Sequence, residues 1–515
     1  MHPALQVKEL FLGILEQLNA SADNMDKQSL TSLTVVCREW HEPALDALWR
    51  TQRMLLPLLK TFPAHKWNMG EDKSFTITEA LDDDDWLRFG YFAGKMRHII
   101  IRPEEMDQPI LSLLRIRSQF HRLFTNLTSL EWESYFSTPP VSFLMMTPFM
   151  GMSLRHLAIT FAHSQSSPPA GALLLFSGLN EQAPSLKRLE IRGEMAPHVA
   201  NAAFNAALSL PKLDTFLVED NAITTTLLPL SQLDHLRELS LKLDETILLT
   251  DITADYLPTT FHSLETVHLN TTAPSFATMF ILKFLAASPL REFTLAFYDA
   301  LNQDHAMQLS SAMAHVFPHN SMTTIRVWGL ESARAPRDNR TYVLDVGMLR
   351  NLFVFRNLQV FTFNVKMNYG RIDEKFIGDL ATDWPALRAL SLVPTGTPCS
   401  VISLPLEGLI HFTKSRNLIY LNVLFDGNNL RHNPPANGLS CSSLRHLNVH
   451  ASSLNIRDLD AVANLIFDMF PNLTDIKYLE PSIVEEDGSW RAMLWRSVNG
   501  RYTLFKEMRE HVAPS

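Results

Sequence analysis

The sequence predicts an α/β repeat chain, a solenoid of short strands and helices behind a small N-terminal helical module. Three observations carry this. At 515 residues the chain exceeds what one compact core supports, so it either divides into domains or grows by stacking units that touch only their neighbours. A six-residue frame, apolar at its first, fourth and sixth positions, recurs fourteen times between residues 96 and 480. Ahead of the first frame, "SLTVVCREWHEPALDALWR" at residues 32 to 50 has helical spacing interrupted by a proline.

Composition narrows the function classes. With 46% hydrophobic and 19% charged residues and a mean hydropathy of -0.01, the chain fits neither wholesale disorder nor membrane embedding. It carries 45 basic against 54 acidic residues, which lacks the phosphate-neutralising excess that nucleic-acid binding requires. Three cysteines, Cys37, Cys399 and Cys441, make no disulfide framework and no CxxC pair, which implies a reducing compartment, cytoplasm or nucleus. The N-terminal "MHPALQVKELFLGILEQL" lacks a basic start and a cleavage site, and no run of 18 apolar residues follows, so neither a signal peptide nor a membrane partner is expected. The sequons at Asn126, Asn270, Asn339 and Asn472 are accordingly expected to stay unglycosylated.

The front of the chain reads as three helices. Val7, Leu10, Phe11, Ile14, Leu15 and Leu18 recur every three or four residues, and polar "NASADNMDKQ" ends that stripe. Leu30, Leu33, Val36, Cys37 and Trp40 repeat the spacing, with Cys37 a small core residue. Pro43 is expected to end the second helix and open a third bearing Leu45, Leu48 and Trp49. So few residues make a meagre core, so part of the apolar surface belongs to a partner or to the next domain.

The pattern "ALQVKELFLGILEQL…SLTSLTVVCREWHEPALDALWR" resembles the F-box, particularly its form in fungal proteins, where it is followed by a segment like "LLPLLKTFP" at Leu55 to Pro63. It departs from the family at Lys8, where a proline is usual. The resemblance implies docking on the Skp-family adaptor, and through it on cullin, in a Skp-cullin-F-box ubiquitin ligase. The adaptor-binding residues are then Leu5, Val7, Leu10, Ile14, Leu18, Leu33, Val36, Trp40, Leu45 and Trp49. A plain helical cap on the next domain is the alternative.

The body repeats L-x-x-L-x-L, from "MRHIII" at 96 through "LTSLEW", "LRHLAI", "LKRLEI" and "LRALSL" to "LTDIKY" at 473, with a mean interval of 29 residues. Helical stretches ending in proline precede some frames, as in "FIGDLATDWPALRAL". This is the leucine-rich-repeat signature, one strand and one helix per unit. It predicts a leucine-rich-repeat horseshoe with an N-terminal three-helix F-box-like module: module 1–54, linker and N-terminal cap 55–95, repeats 96–480, C-terminal cap 481–515. Because strand side chains alternate, the frame's apolar positions face the core and its third, fifth and seventh positions face out. The asparagine usual three residues after the last frame position occurs only at Asn221, so the arc is expected to be irregular, with insertions near 135–150 and 330–350. A doubly wound α/β enzyme also alternates strand and helix, but its strands read as continuous apolar runs.

Catalytic chemistry is sparse. "GYFAGKM", Gly90 to Met96, is one residue short of a phosphate loop and has Met96 where magnesium needs a hydroxyl. His446 and His450 share one side of a strand about 13 Å apart, too far to close on one ion. Asp82 to Asp85 read as a solvated acidic run, and Cys441 as lying in a polar loop. No cofactor and no metal is expected, and catalysis is expected to lie in other subunits. The target protein, whose identity the sequence leaves open, is expected on the outward face, at Arg326 and Trp328 supported by Phe297 and Tyr298, and at Arg188, Glu190 and Arg192. The alternative function is a ligase-independent repeat scaffold or inhibitor.

Overall fold

The computed structural model of the chain describes residues 8–20, 24–71, 75–103, 108–119, 121–134, 143–161, 171–223, 227–243, 260–272, 274–298, 301–329, 346–365, 371–393, 402–428, 430, 440–450, 452–478 and 486–512. Of the insertions expected near 135–150 and 330–350, residues 135–142 and 330–345 lie outside these residues, and the rest falls at 3-10 turns Phe143–Phe149 and Val346–Val354.

Three helices open the chain: α1 (Lys8–Ala20), α2 (Asn24–Val36) and α3 (Arg38–Arg50). Phe11, Leu15, Leu30, Ala44 and Ala47 form their core, and Leu18, Leu33, Trp40 and Leu48 pack half-buried against it. The break between the last two helices falls at Cys37, not at Pro43, which sits inside α3. Cys37 is extended (φ -156°, ψ 162°), and starting α3 one turn earlier brings Trp40 into a stack on Phe11, ring centroids 4.8 Å apart. The stack accompanies the loss of the single backbone bond that Pro43 cannot donate.

The main sheet has fifteen strands. It begins with β1 (Thr51–Gln52), within the stretch assigned to the helical module; β2 (Trp67–Met69) and β3 (Phe75–Ile77) form a separate antiparallel hairpin. Twelve frames then supply β4 (His98–Ile101), β5 (Ser129–Glu133), β6 (His156–Thr160), β7 (Arg188–Arg192), β8 (Thr215–Ile223), β9 (Glu238–Leu243), β10 (Thr266–Thr271), β11 (Glu292–Phe297), β12 (Thr324–Gly329), β13 (Val360–Asn364), β14 (Ala389–Leu392) and β15 (Tyr420–Val423). A separate parallel pair, β16 (Asp426–Gly427) and β18 (Ser453–Leu454), alternates in sequence with the last two frame strands, β17 (His446–Asn448) and β19 (Asp475–Lys477). Each of the fourteen frames thus becomes one strand of the main sheet.

The chain forms two compact units, Met1–Thr225 with Ser240–Lys242, and Thr226–Leu239 with Leu243–Ser515. In the first, β1, β4, β5, β6, β7 and β8 pair in that order, all parallel. In the second, β10 through β15, then β17 and β19, do the same. The registers align frame with frame, so Ile99, Leu130, Leu157, Leu189 and Phe216 lie side by side. Leu186, Leu189, Ile191, Leu387, Leu390 and Leu392 are wholly buried. The connections are not uniformly α-helical: helices such as Glu374–Asp383 and Leu459–Met469 alternate with 3-10 turns such as Leu228–Gln232 and Leu406–Lys414.

A hydrogen-bond ladder stands where the usual asparagine is missing. The residue just before the frame reaches a backbone carbonyl of the preceding unit in Asn126 to Gly94, Ser153 to Thr125, Ser263 to Asp234, Ser321 to Leu290, Asn357 to Asn320, Ser443 to Leu418 and Asn472 to Ser442. These bonds satisfy turn carbonyls that no strand partner reaches.

The described part of 55–95 is folded into the first unit. Short α4 (Leu56–Leu59) and α5 (Asp83–Ala93) bury Leu58, Phe62, Trp86 and Phe89, whose aromatic rings pack at 5.2 to 5.4 Å. The acidic run is only partly solvated: Asp82 and Asp85 form a reciprocal capping box at the start of α5, and Lys66 Nζ lies 2.8 Å and 2.6 Å from their carboxylates. At the other end, the helix Glu486–Val512 buries Trp495, Val498 and Tyr502. The Tyr502 hydroxyl donates to the Phe470 carbonyl at 2.8 Å and accepts from the Leu473 amide at 2.9 Å.

Candidate functional site

The ten residues expected to face an adaptor separate into distinct environments. Leu5 and Val7 lie outside the described residues. On α1, Leu10 is 54% and Ile14 44% exposed, and at the end of α2 Val35 is 82% and Val36 57% exposed. Leu18, Leu33 and Trp40 instead turn toward the module's own core. Leu45 is half-buried, and Trp49 packs on Phe92 of α5 at 4.7 Å, so it joins the module to the rest of its unit. Four branched aliphatics thus stay in solvent on α1 and α2.

The lysine of "GYFAGKM" makes that joint. Lys95 Nζ lies 2.7 Å from Glu42 Oε2 and 2.6 Å from Asp46 Oδ1, both carboxylates on α3. Tyr91, on α5, donates its hydroxyl to Glu42 Oε1 at 2.8 Å. Burial works against the Lys95 charge, but its bonds to Asp46 and Glu42 outweigh burial and raise its pKa. The sequence marked Lys95 only as part of an incomplete phosphate loop.

On the outward face of the first unit the side chains bond one another. His98 Nδ1 and Ser129 Oγ are 2.8 Å apart, Ser129 Oγ and His156 Nδ1 3.0 Å, and His156 Nε2 and Glu190 Oε1 3.1 Å. Arg188 and Arg192 donate to the two oxygens of Glu190, and Arg102 pairs with Glu133 at 2.9 Å. The Glu190 carboxylate therefore draws the His156 proton to Nε2, which leaves Nδ1 to accept the Ser129 hydroxyl. Bonds from His156 and then Arg188 hold the Glu190 carboxyl down to about 2 although it is buried. Burial keeps His98 below the usual imidazole range, with the Glu131 carboxylate working against it. A hydroxyl, an imidazole and a carboxylate in sequence have the order of a nucleophilic relay. Here the carboxylate is committed to two guanidiniums and the hydroxyl to a second imidazole. Glu190 is thus the buried centre of an ion-pair network with Arg188 and Arg192, not an outward ligand.

The outward face of the second unit differs. Thr294, Arg326 and Thr362 align across β11, β12 and β13, and Ala296 aligns with Trp328. On β10, His268 aligns with Thr294 and Asn270 with Ala296. Among the described residues, the carboxylate beside Arg326 is Glu292, 3.9 Å away. Burial lowers the His268 imidazole below its usual range, with Arg326 adding to the effect and Glu238 and Glu292 opposing it. Of the supporting aromatics, Phe297 is turned into the core and Tyr298 is half-buried.

The other residues singled out in the sequence have structural partners. His446 pairs with Asp475 at 2.7 Å, and His450 holds a left-handed φ of 48° with its amide bonded to Asn448 Oδ1 at 2.9 Å. Cys441 is buried, not in a solvated loop; Cys37 is half-buried at the helix break. Cys399 lies outside the described residues. Among the described residues no group of three or more His, Cys, Asp or Glu is placed to hold a metal, and no helix is long and apolar enough to cross a membrane.

No known family's sequence profile matches the chain, and no curated protein does. Solved structures similar to it include an LRR protein of Leptospira interrogans, at 12% identity and a TM-score of 0.35 over 78% of this chain and 93% of that one. Another is a chain of the yeast Rad7 and Elc1 complex, at 12% identity and a TM-score of 0.35 over 94% of this chain and 90% of that one. Both likenesses are too distant to bear on function.

Proposed function

We propose that this chain is a non-enzymatic substrate adaptor of a Skp-cullin-F-box ubiquitin ligase in the cytoplasm or nucleus. Helices α1 to α3 act as an F-box-like module that docks on a Skp-family adaptor, and through it on cullin. The leucine-rich repeats hold a target protein on their outward face while other subunits carry out ubiquitylation. The observation that carries this reading is the surplus apolar surface of the module, Leu10, Ile14, Val35 and Val36, left exposed after Phe11, Leu15 and Leu30 have formed its core. Water contact at such side chains is unfavourable and burial against a partner relieves it. The direct test is capture of a purified Skp-family adaptor by the full-length chain, with Leu10→Asp and Ile14→Asp as the variants that abolish it. Absence of capture at micromolar adaptor removes the ligase reading.

A ligase-independent repeat scaffold or inhibitor is the second reading. It is favoured by the inward turn of Leu18, Leu33 and Trp40, which reduces the apolar area left for an adaptor. Under it, target binding persists while adaptor capture is absent.

A further inference from the structure

We propose that the outward face over β10, β11 and β12 is a docking site for a short peptide segment that carries a carboxylate beside a bulky apolar side chain. This deepens the target-binding role proposed above and rests on it. The Arg326 side chain is only 31% exposed, yet it forms no hydrogen bond among the described residues. Its carboxylate neighbour among the described residues, Glu292, stands 3.9 Å away, too far for the paired N–H···O contacts a guanidinium makes with a carboxylate. Asn270 Oδ1 and Thr294 Oγ1 beside it are buried without a hydrogen-bond partner, a cost that a docked backbone relieves only when these side chains turn outward to meet it.

The register gives these groups a shape. Asn270, Ala296 and Trp328 lie side by side on the three strands. With strands about 4.8 Å apart, the outer two backbones stand about 10 Å from each other. Ala296, with only a methyl group, forms the floor of a notch between the Asn270 side chain and the indole. Arg326 is two residues before Trp328 on the same face, about 7 Å along the strand, the separation of neighbouring alternate side chains in an extended peptide. The notch accepts the apolar side chain against the indole, and the guanidinium takes the carboxylate.

Neighbouring strands contrast with this window. Asn364 accepts from the Ser391 hydroxyl at 3.0 Å, and Asn422 donates to the same hydroxyl at 2.9 Å while its own Oδ1 stays without a partner. His446 is bonded to Asp475. In the first unit the His98, Ser129, His156 and Glu190 chain is likewise closed. Over β10 to β12 the Arg326 side chain keeps no hydrogen bond among the described residues, which leaves its guanidinium for a partner rather than for stiffening the sheet.

The test selects binders of the full-length chain from short random peptides displayed once with free C-termini and once amidated. The expected result is enrichment of Asp or Glu within two residues of Phe, Trp, Leu or Met in both libraries, or in the free-ended library alone if the chain terminus supplies the carboxylate. Arg326→Gln is expected to weaken the enriched peptides by about tenfold or more. Arg326→Lys should recover only part of this, since an ammonium lacks the planar fork. Trp328→Ala should keep the acidic preference and lose the apolar one. Recovery of no carboxylate-bearing peptide, or full affinity for both Arg326→Gln and Trp328→Ala at unchanged melting temperature, overturns the site. Cellular proteins captured equally by wild type and by the double variant would also overturn it, while leaving the scaffold role intact; adaptor capture involves none of these residues and fails or succeeds separately.

Discussion

Lys95 Nζ bridges Glu42 and Asp46 of α3, at 2.7 Å and 2.6 Å, so one side chain ties the helical module to the start of the repeats within their compact unit. With the Trp49 to Phe92 contact beside it, the junction combines a packed aromatic pair with a two-carboxylate clamp. The module is thereby fixed against the repeats of its own unit.

Lys95→Met should loosen this junction without unfolding the sheet. Both carboxylates are more than half exposed, so screening by water limits the loss to about 1 kcal/mol. Hydrogen exchange is expected to quicken in α3 and stay unchanged in β5 to β7. A variant whose α3 amides exchange as slowly as wild type would show that the aromatic contact alone holds the module.

The environments of α1 separate binding from folding. Leu10→Asp and Ile14→Asp alter exposed positions and should leave the melting temperature within a degree or two while eliminating adaptor capture. Leu15→Asp buries a charge in the three-helix core, forfeiting about 1.5 to 3 kcal/mol of side-chain burial and more for the unpaired carboxylate, so it should unfold the module. Circular dichroism of the three variants beside the pull-down distinguishes the two outcomes.

Acid sensitivity should trace in part to Glu190. Its folded pKa, about 2, lies below the ordinary value of 4.5. The group therefore contributes stability that is complete above the ordinary value and is lost as pH falls toward the folded one. Glu190→Gln should be less stable than wild type at neutral pH, and the difference should shrink between about pH 4.5 and pH 2. Urea midpoints measured across that range test it; a gap that does not change with pH would refute the ionised network.

Tyr502→Phe should weaken the C-terminal cap. The hydroxyl serves both the Leu473 amide and the Phe470 carbonyl, and burial pushes the phenol up to about 12, so it stays a neutral donor. Its removal leaves two backbone groups without that partner, at about 1 to 3 kcal/mol each. Early proteolysis within Glu486–Val512 is the expected readout, with the first unit resistant.

The frame was legible because it needs only local spacing. An apolar residue at the first, fourth and sixth positions of each unit is enough to assign fourteen strands and to bury Leu189, Leu390 and their equivalents, since alternation along a strand is a property of the backbone alone. The Ser and Asn ladder was equally present in the sequence, one residue before the frame in "TNLTSL" and "HSLETV". It precedes the strand, whereas the asparagine usual in such repeats follows it.

Local spacing could not determine what depends on the unit next door. The stripe of α1 divides between Leu15 inside and Ile14 outside only once α2 and α3 have packed against it, and Cys37 rather than Pro43 breaks the helix because Trp40 must reach Phe11. Glu190 and Arg326 occupy the same frame position, yet one is the saturated centre of a network and the other lacks a hydrogen bond. Arg188 and Arg192 flank Glu190 on its own strand, but its His156 partner and the Glu292 neighbour of Arg326 each stand one repeat away, across intervals that vary in length. From the sequence alone, then, come the period, the strands and the inward face. The tertiary structure decided which outward residues pair with each other and which remain for a partner, because that depends on distances between side chains about thirty residues apart in the chain and about 5 Å apart in the sheet.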